Sequence, residues 1–183
     1  MLNRHAPHSP IILDITIISA HGLKNNPAAA AFATFWRRLR PYVTISVVGD
    51  GDGTMHRTRV DDKGGVNPTW GDKFRLFLDP SFFEQSYRGI YLQLYTKRLL
   101  IGRTLLGWCV IPAADIFDQP LPIGCARFLS YRLRARDGSR GHGIVNVSVK
   151  VEQPPGGTVS NDLQEMFDGN QFAIGIPVNI VLM

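Results

Sequence analysis

Cysteine is almost missing from this chain: Cys109 and Cys125 are the only two among its 183 residues. Two thiols are too few for a disulfide framework, and neither sits at metal-ligand spacing with the other. Cys109 lies in an apolar, strand-like run and reads as a small buried hydrophobe. No apolar run approaches the roughly 18 residues that a membrane-spanning helix needs. The first ten residues, Met1 to Pro10, lack the apolar core of a secretory signal. They also lack the Gly at position 2 that accepts a myristoyl group. These absences point to the cytosol, with any membrane attachment peripheral.

Catalytic chemistry is missing as well. Ser130 and Ser139 have no His at a suggestive spacing, and no Gly-rich phosphate loop or metal-ligand cluster occurs. His5, His8, His21, His56 and His142 are dispersed. The reading is of a protein that is not an enzyme and needs no cofactor. What the chain does have is the composition of a folded domain, 44% hydrophobic and 19% charged. Lys and Arg outnumber Asp and Glu by 20 to 15, and the pI is near 9.5. That balance favours anionic partners. Nucleic acid is not expected among them, because no known module or basic–aromatic array is present.

Short strand-like runs separated by turn chemistry recur along the chain, and long helical periodicity is nearly absent. Eight strands are expected, at Ile11–Ser19, Tyr42–Val48, His56–Val60, Lys73–Leu78, Ile90–Tyr95, Leu105–Ile111, Arg127–Arg134 and Ile144–Val151. Leu13, Ile15 and Ile17 share one face of the first, Val43, Ile45 and Val47 one face of the second. Val145, Val147, Val149 and Val151 share a face of the last. Gly49-Asp50-Gly51-Asp52-Gly53 and Asp137-Gly138 supply the positive φ angles of hairpin turns. The first of these lacks the twelve-residue ligand series and closing Glu of an EF-hand. Eight antiparallel strands without strand–helix alternation imply a two-sheet sandwich. The expected organisation is an N-terminal extension at 1–10, the sandwich at 11–152, and an irregular tail at 153–183 that opens on Pro154-Pro155-Gly156-Gly157.

Two local signatures narrow this class. Arg40-Pro41-Tyr42-Val43 stands where C2 domains usually have Asp-Pro-Tyr-Val, and Asn67-Pro68-Thr69-Trp70 is similar to their Asn-Pro-x-Trp/Phe before the fourth strand. Leu106-Gly107-Trp108-Cys109-Val110-Ile111-Pro112 resembles the family's strand leading into an Ile-Pro turn. Residues 127–134, Arg-Phe-Leu-Ser-Tyr-Arg-Leu-Arg, followed by Gly143 to Val149, resemble the small plant C2 proteins that associate with copines, the BONZAI-associated group, and their cold-regulated relatives. The resemblance spans about residues 10–152 and implies the type II, circularly permuted strand order. It also implies a cytoplasmic protein peripherally attached to the plasma membrane, which binds anionic phospholipids and a copine-like C2 partner and regulates plant defence, cell death or stress signalling. The insert after Pro27 and the apolar end at Ile174–Met183 depart from that group.

The loops that hold calcium in C2 domains are poor in carboxylates. The stretch Ala20–Arg40 contains no Asp or Glu, Arg40 precedes Pro-Tyr, and Thr96 and Arg98 occupy the Asp-x-Asp positions of the loop at Tyr95–Arg103. Only Asp61 and Asp62 remain, and the facing cations would repel a divalent ion. Binding is therefore expected to be calcium-independent, with those two aspartates only weak candidates for a metal.

The same replacement makes the rim attractive to anions. Lys97, Arg98 and Arg103 surround Leu99, Leu100 and Ile101, the layout of a peripheral membrane contact; the alternative is an apolar tip folded onto the core beneath solvated cations. Phe32, Phe35, Trp36 and Leu39 fall on one stripe of a short helical insert in the first loop, with Arg37, Arg38 and Arg40 at its C-terminal end. Such a helix suits a bilayer surface or a partner's groove, and equally a cover over the open end of the sandwich. A second basic surface is expected on a sheet face, where Arg57 and Arg59 would join Lys73 and Arg75 on a paired strand. The reading that results is a calcium-independent module for anionic membranes and a protein partner. The alternative is an adaptor for a copine-like partner, with incidental lipid contact.

Overall fold

A computed structural model describes residues 10–24, 39–48, 54–84, 88–98, 102–117 and 124–152. In chain order the elements are β1 (Ile11–His21), β2 (Pro41–Val48), β3 (His56–Arg57), β4 (Thr69–Leu78), α1 (Ser81–Glu84), β5 (Gly89–Lys97), β6 (Arg103–Pro112), α2 (Ala113–Phe117), β7 (Ala126–Arg134) and β8 (Arg140–Glu152). The strands run in the order β3-β2-β5-β6-β7-β8-β1-β4, all pairings antiparallel. Between β6 and β7 the only register pair is Trp108 with Arg134. The ladder all but breaks there, and the chain folds into two four-stranded layers, β3-β2-β5-β6 and β7-β8-β1-β4. This is the eight-stranded sandwich expected from the sequence, in the type II order.

Alternation puts one face of each layer inside. Leu13, Ile15 and Ile17 of β1, Val43 and Ile45 of β2, Ile90, Leu92 and Leu94 of β5 and Val145 and Val147 of β8 are all inaccessible to solvent. Strict alternation along β1 would send Ser19 inward. A bulge between Ile17 and Ser19 re-phases the strand, so Ala20 pairs with Val145 in the core and Ser19 pairs with Asn146. There the Ser19 hydroxyl accepts the Asn146 amide at 3.0 Å. Cys109 is buried as expected, and burial pushes its thiol up to about 12, which leaves it unreactive.

Two strands differ in length from the sequence reading. β3 stops at Arg57 instead of Val60 because the buried Thr58 takes over the pairing with β2. Its amide donates to the Val43 carbonyl at 2.9 Å, and its hydroxyl accepts the Val43 amide at 2.9 Å. β4 begins at Thr69 instead of Lys73, since Asp61 Oδ2 accepts the Thr69 amide and fixes the strand's first residue. The helical insert, the Gly49–Gly53 turn and the C-terminal tail lie outside the described residues.

Trp70 closes the core at the end where β1 hands over to its loop. It is 6% exposed, as the Asn-Pro-Thr-Trp motif predicts, and its indole N–H donates to the Pro41 carbonyl at 3.3 Å. Trp70→Ala should cost about 3–5 kcal/mol in urea unfolding, because the indole leaves a large void between the layers. A loss below about 1 kcal/mol would show that this end of the core can collapse around the deletion.

Candidate functional site

Four connections gather at one end of the sandwich: β1–β2, β3–β4, β5–β6 and β7–β8. Their positions follow from the antiparallel registers, which place His21, Pro41, Thr69, Lys97, Arg103 and Arg140 at strand ends facing the same way. The β3–β4 connection ties the others together. Pro68 O accepts the Ala20 amide and Val66 O the Leu23 amide, each at 3.0 Å, and Asn67 Oδ1 accepts the Gly22 amide at 2.9 Å. Inside this loop Asp61 works as a staple. Its Oδ1 accepts the amides of Lys63 and Gly64 at 2.7 and 2.8 Å, and its Oδ2 accepts that of Thr69 at 2.9 Å. Gly64 is required, since a Cβ there would lie 2.5 Å from the Pro68 Cα and 2.9 Å from the Asn67 carbonyl oxygen.

Asp62, the second candidate carboxylate, is bound by the Arg40 guanidinium. The hydrogen bond from Arg40 holds the Asp62 carboxyl below the usual carboxylate range and raises Arg40 in return. Arg40 is locked further by its backbone, which donates to Thr96 Oγ1 at 3.0 Å and accepts from the Lys97 amide at 3.0 Å. Thr96, in a position where C2 domains carry a ligand aspartate, is buried and spends its hydroxyl on that bond. Beyond it, the Arg98 amide donates to the Gly102 carbonyl at 2.9 Å. Its Nη2 is buried and makes no hydrogen bond among the described residues. Lys97 is exposed. A calcium donor set does not fit the described residues, in which Asp61 and Asp62 already satisfy loop amides and Arg40. No three His, Cys, Asp or Glu side chains among them gather closely enough to hold a metal ion.

The two layers of the sandwich differ in where their acids lie. β2, β3, β5 and β6 contain no Asp or Glu. Their outward positions carry aromatic rings with cations laid over them. Tyr42 and Tyr95 stack with centroids 5.7 Å apart, Arg57 lies 5.3 Å from the Tyr42 ring, and Arg103 lies 4.7 Å from the Tyr95 ring. Tyr91 and Trp108 meet at 5.4 Å, and Arg134 reaches over Trp108 from β7 at 6.0 Å. Cation–π contact holds an arginine in place without neutralising it. Arg57, Arg103 and Arg134 make no ion pair among the described residues.

In the other layer some of the cations are paired with acids. Arg75 pairs with Asp14 at 2.7 Å and Glu152 at 2.8 Å, and Lys150 pairs with Glu152 at 2.9 Å. The Arg75 hydrogen bond keeps Asp14 below the ordinary carboxylate range. Arg59 is bound to Asp72 at 2.7 Å; burial opposes the Asp72 charge, but the side-chain and backbone bonds from Arg59 prevail and lower its pKa.

These faces correct the expected basic surface. β3 pairs with β2, not with β4, and the two strands belong to opposite layers. Arg57 therefore does not share a face with Lys73 and Arg75, and both Arg59 and Arg75 are in ion pairs. Alternation along each strand was legible, but pairing across strands is not encoded by adjacency in sequence. The structure brings Arg57 together instead with Arg103 and Arg134. Of these, Arg134 and the rings of Tyr42, Tyr95 and Trp108 escaped the sequence reading. Their signal was present in the i, i+2 spacing of Tyr91, Gln93 and Tyr95, a run of large side chains on the face opposite the apolar one. Of the stripe Phe32, Phe35, Trp36 and Leu39, only Leu39 is described, and it is buried in the core. Trp36, Arg37, Arg38, Leu99, Leu100 and Ile101 lie outside the described residues.

Comparison with known proteins agrees with this architecture. The C2 domain model matches residues 11–126. Over 163 residues the chain is 34% identical to BON1-associated protein 2 of Arabidopsis thaliana, covering 88% of this chain and 69% of that protein. Among solved structures, a C2 domain of plant Extended Synaptotagmin 1 superposes with a TM-score of 0.61 at 15% identity, covering 80% of this chain and 98% of that one. Human GIVD cytosolic phospholipase A2 gives 0.56 at 16% identity over 80% of this chain and 16% of its own; both show the fold alone. The chain thus belongs to the C2 domain family, among the plant C2 proteins that include BON1-associated protein 2.

Proposed function

We propose that this protein is a calcium-independent C2 module that docks on anionic phospholipid membranes with its loop end and the acid-free face of β3-β2-β5-β6. The observation that carries this reading is a set of cations that no carboxylate neutralises. In the β7-β8-β1-β4 layer Arg75 and Lys150 are paired with carboxylates, whereas Arg57, Arg103 and Arg134 lie over aromatic rings of the acid-free face and make no ion pair among the described residues. An anionic headgroup layer supplies the missing negative charge, and each basic residue near it adds on the order of 1 kcal/mol. Lys97, Arg98 and Arg103, on either side of Leu99-Leu100-Ile101 in the sequence, supply the loop-end contacts. On this reading the attachment is peripheral, at the cytoplasmic side of the plasma membrane. No described helix is long and apolar enough to cross a membrane.

The likeness to BON1-associated protein 2 supports a second role, association with a copine-like C2 partner, and with it a part in regulating plant defence, cell death or stress signalling. In an adaptor reading the partner interaction is primary and lipid contact incidental. Flotation with phosphatidylserine vesicles in EGTA separates the two, since an adaptor leaves the vesicles unbound.

Two outcomes are expected. Replacing Lys97, Arg98 and Arg103 together by Glu should weaken vesicle binding by roughly a hundredfold or more, and wild-type binding should fall with salt because exposed charges are screened beyond about 8–10 Å. Salt-insensitive binding, or binding unaffected by the triple reversal, would place the contact elsewhere. In calorimetry, millimolar calcium should leave the melting temperature unchanged, because a bound ion would raise it by mass action. An upward shift abolished by Asp61→Asn and Asp62→Asn would establish a calcium site in the β3–β4 loop.

A further inference from the structure

The β7–β8 turn has no part in holding the sandwich's loops together, yet it is the most cationic stretch of the described chain. Between Arg132 and Arg140 stand four arginines, Arg132, Arg134, Arg136 and Arg140, against a single acid, Asp137. All four are exposed, and none is ion-paired among the described residues. At the tip is Ser139, also exposed. Its hydroxyl donates to Asp137 Oδ1 at 2.7 Å, and its amide donates to the same oxygen at 3.0 Å. Arg136 precedes it by three residues and Arg134 by five.

We propose that Ser139 is a phosphorylation site for an arginine-directed serine kinase, and that the modification releases this end of the domain from anionic membranes. The switch, though not the site itself, rests on the membrane reading above. Arginine-directed kinases hold their substrates in an extended form, with acidic subsites for cations three and five residues before the acceptor. Arg136 and Arg134 stand at those two spacings. Only the hairpin tip has to open. Its restraints are the Ala135 amide on Ser139 O at 2.9 Å, the Gly138 amide on Ala135 O at 3.0 Å, the Trp108 indole on Ala135 O at 2.8 Å, the exposed Arg134 guanidinium on Gly138 O at 3.2 Å and the bonds to Asp137. A short exposed tip held by so few bonds lies at the low-stability end of a fold, so it opens without unfolding the layers.

The chemistry is a phosphoryl transfer from ATP. Ser139 Oγ forms a bond to the γ-phosphorus as the bridging P–O bond breaks, ADP leaves, and the hydroxyl proton passes to the kinase's carboxylate base. The product carries about −1.5 to −2 charges where the turn had an excess of three positive ones. It can no longer donate from Oγ to Asp137, which repels it, and Arg136 and Arg140 are the nearest cations in sequence to compensate it. Those arginines are then occupied within the protein instead of by headgroups.

The test uses the full chain, MgATP and a recombinant AGC-family kinase selective for arginine at the −3 and −5 positions, with phosphopeptide mass spectrometry and vesicle flotation. Ser139 should be modified, Ser139→Ala should remove that phosphopeptide, and Arg136→Gln should lower kcat/KM by about tenfold or more through the lost charge contact. The phosphorylated chain should bind phosphatidylserine vesicles about tenfold or more weakly than the unmodified chain, while Ser139→Ala binds as the wild type does. No phosphate at Ser139, or modification indifferent to Arg136→Gln, overturns the site. Modification with unchanged vesicle binding overturns the switch. An unmodified chain that fails to float overturns the membrane reading and the switch with it, and leaves the phosphopeptide result to decide the site alone.

Discussion

The β3–β4 connection is the constraint on which the rest of this molecule depends. Asp61 organises it from within by accepting three amides, and Asn67 and Pro68 carry its grip outward to the end of β1. Trp70 then fills the space between the layers and reaches the Pro41 carbonyl at the start of β2. One segment thus joins β1, β2 and β4 at a single end, in two different layers. Because both its polar groups and its indole are buried or bonded, removing either kind leaves unsatisfied amides or an unfilled core. The neighbouring loops inherit their positions from it. Arg40 is held between Asp62 of this connection and Thr96 of β5, and the cationic β5–β6 loop begins from that fixed point.

Ion pairing on this frame differs between the layers. The β7-β8-β1-β4 layer keeps Arg75 and Lys150 beside Asp14 and Glu152, an arrangement that contributes little to stability at an exposed surface. The opposite layer has no acid among its strands, and Arg57, Arg103 and, reaching over from β7, Arg134 lie on its tyrosine and tryptophan rings. Aromatic support costs an arginine little of its attraction for outside anions, since the ring offers a quadrupole and not a countercharge. The two carboxylates of the β3–β4 loop have structural work, Asp61 as a loop staple and Asp62 as the partner of Arg40.

Much of this was determined by the sequence alone. Alternating Leu13, Ile15 and Ile17, or Val145, Val147 and Val149, can bury one face only as strands, because the side-chain period of two is local geometry. The Asn-Pro-Thr-Trp motif located the buried tryptophan, and the lack of acids in the first loop set the sign of the rim. Other features were decided only by the tertiary structure. Alternation says which side a residue takes but not which strand lies next to it, so Arg57 was grouped with Lys73 and Arg75 although β3 and β4 lie in opposite layers. The pairing of Arg75 with Asp14 joins residues 61 positions apart, and the approach of Arg134 to Trp108 crosses the corner between layers. Such contacts depend on the order and register of whole strands, which is a property of how the layers pack and not of any local run of residues.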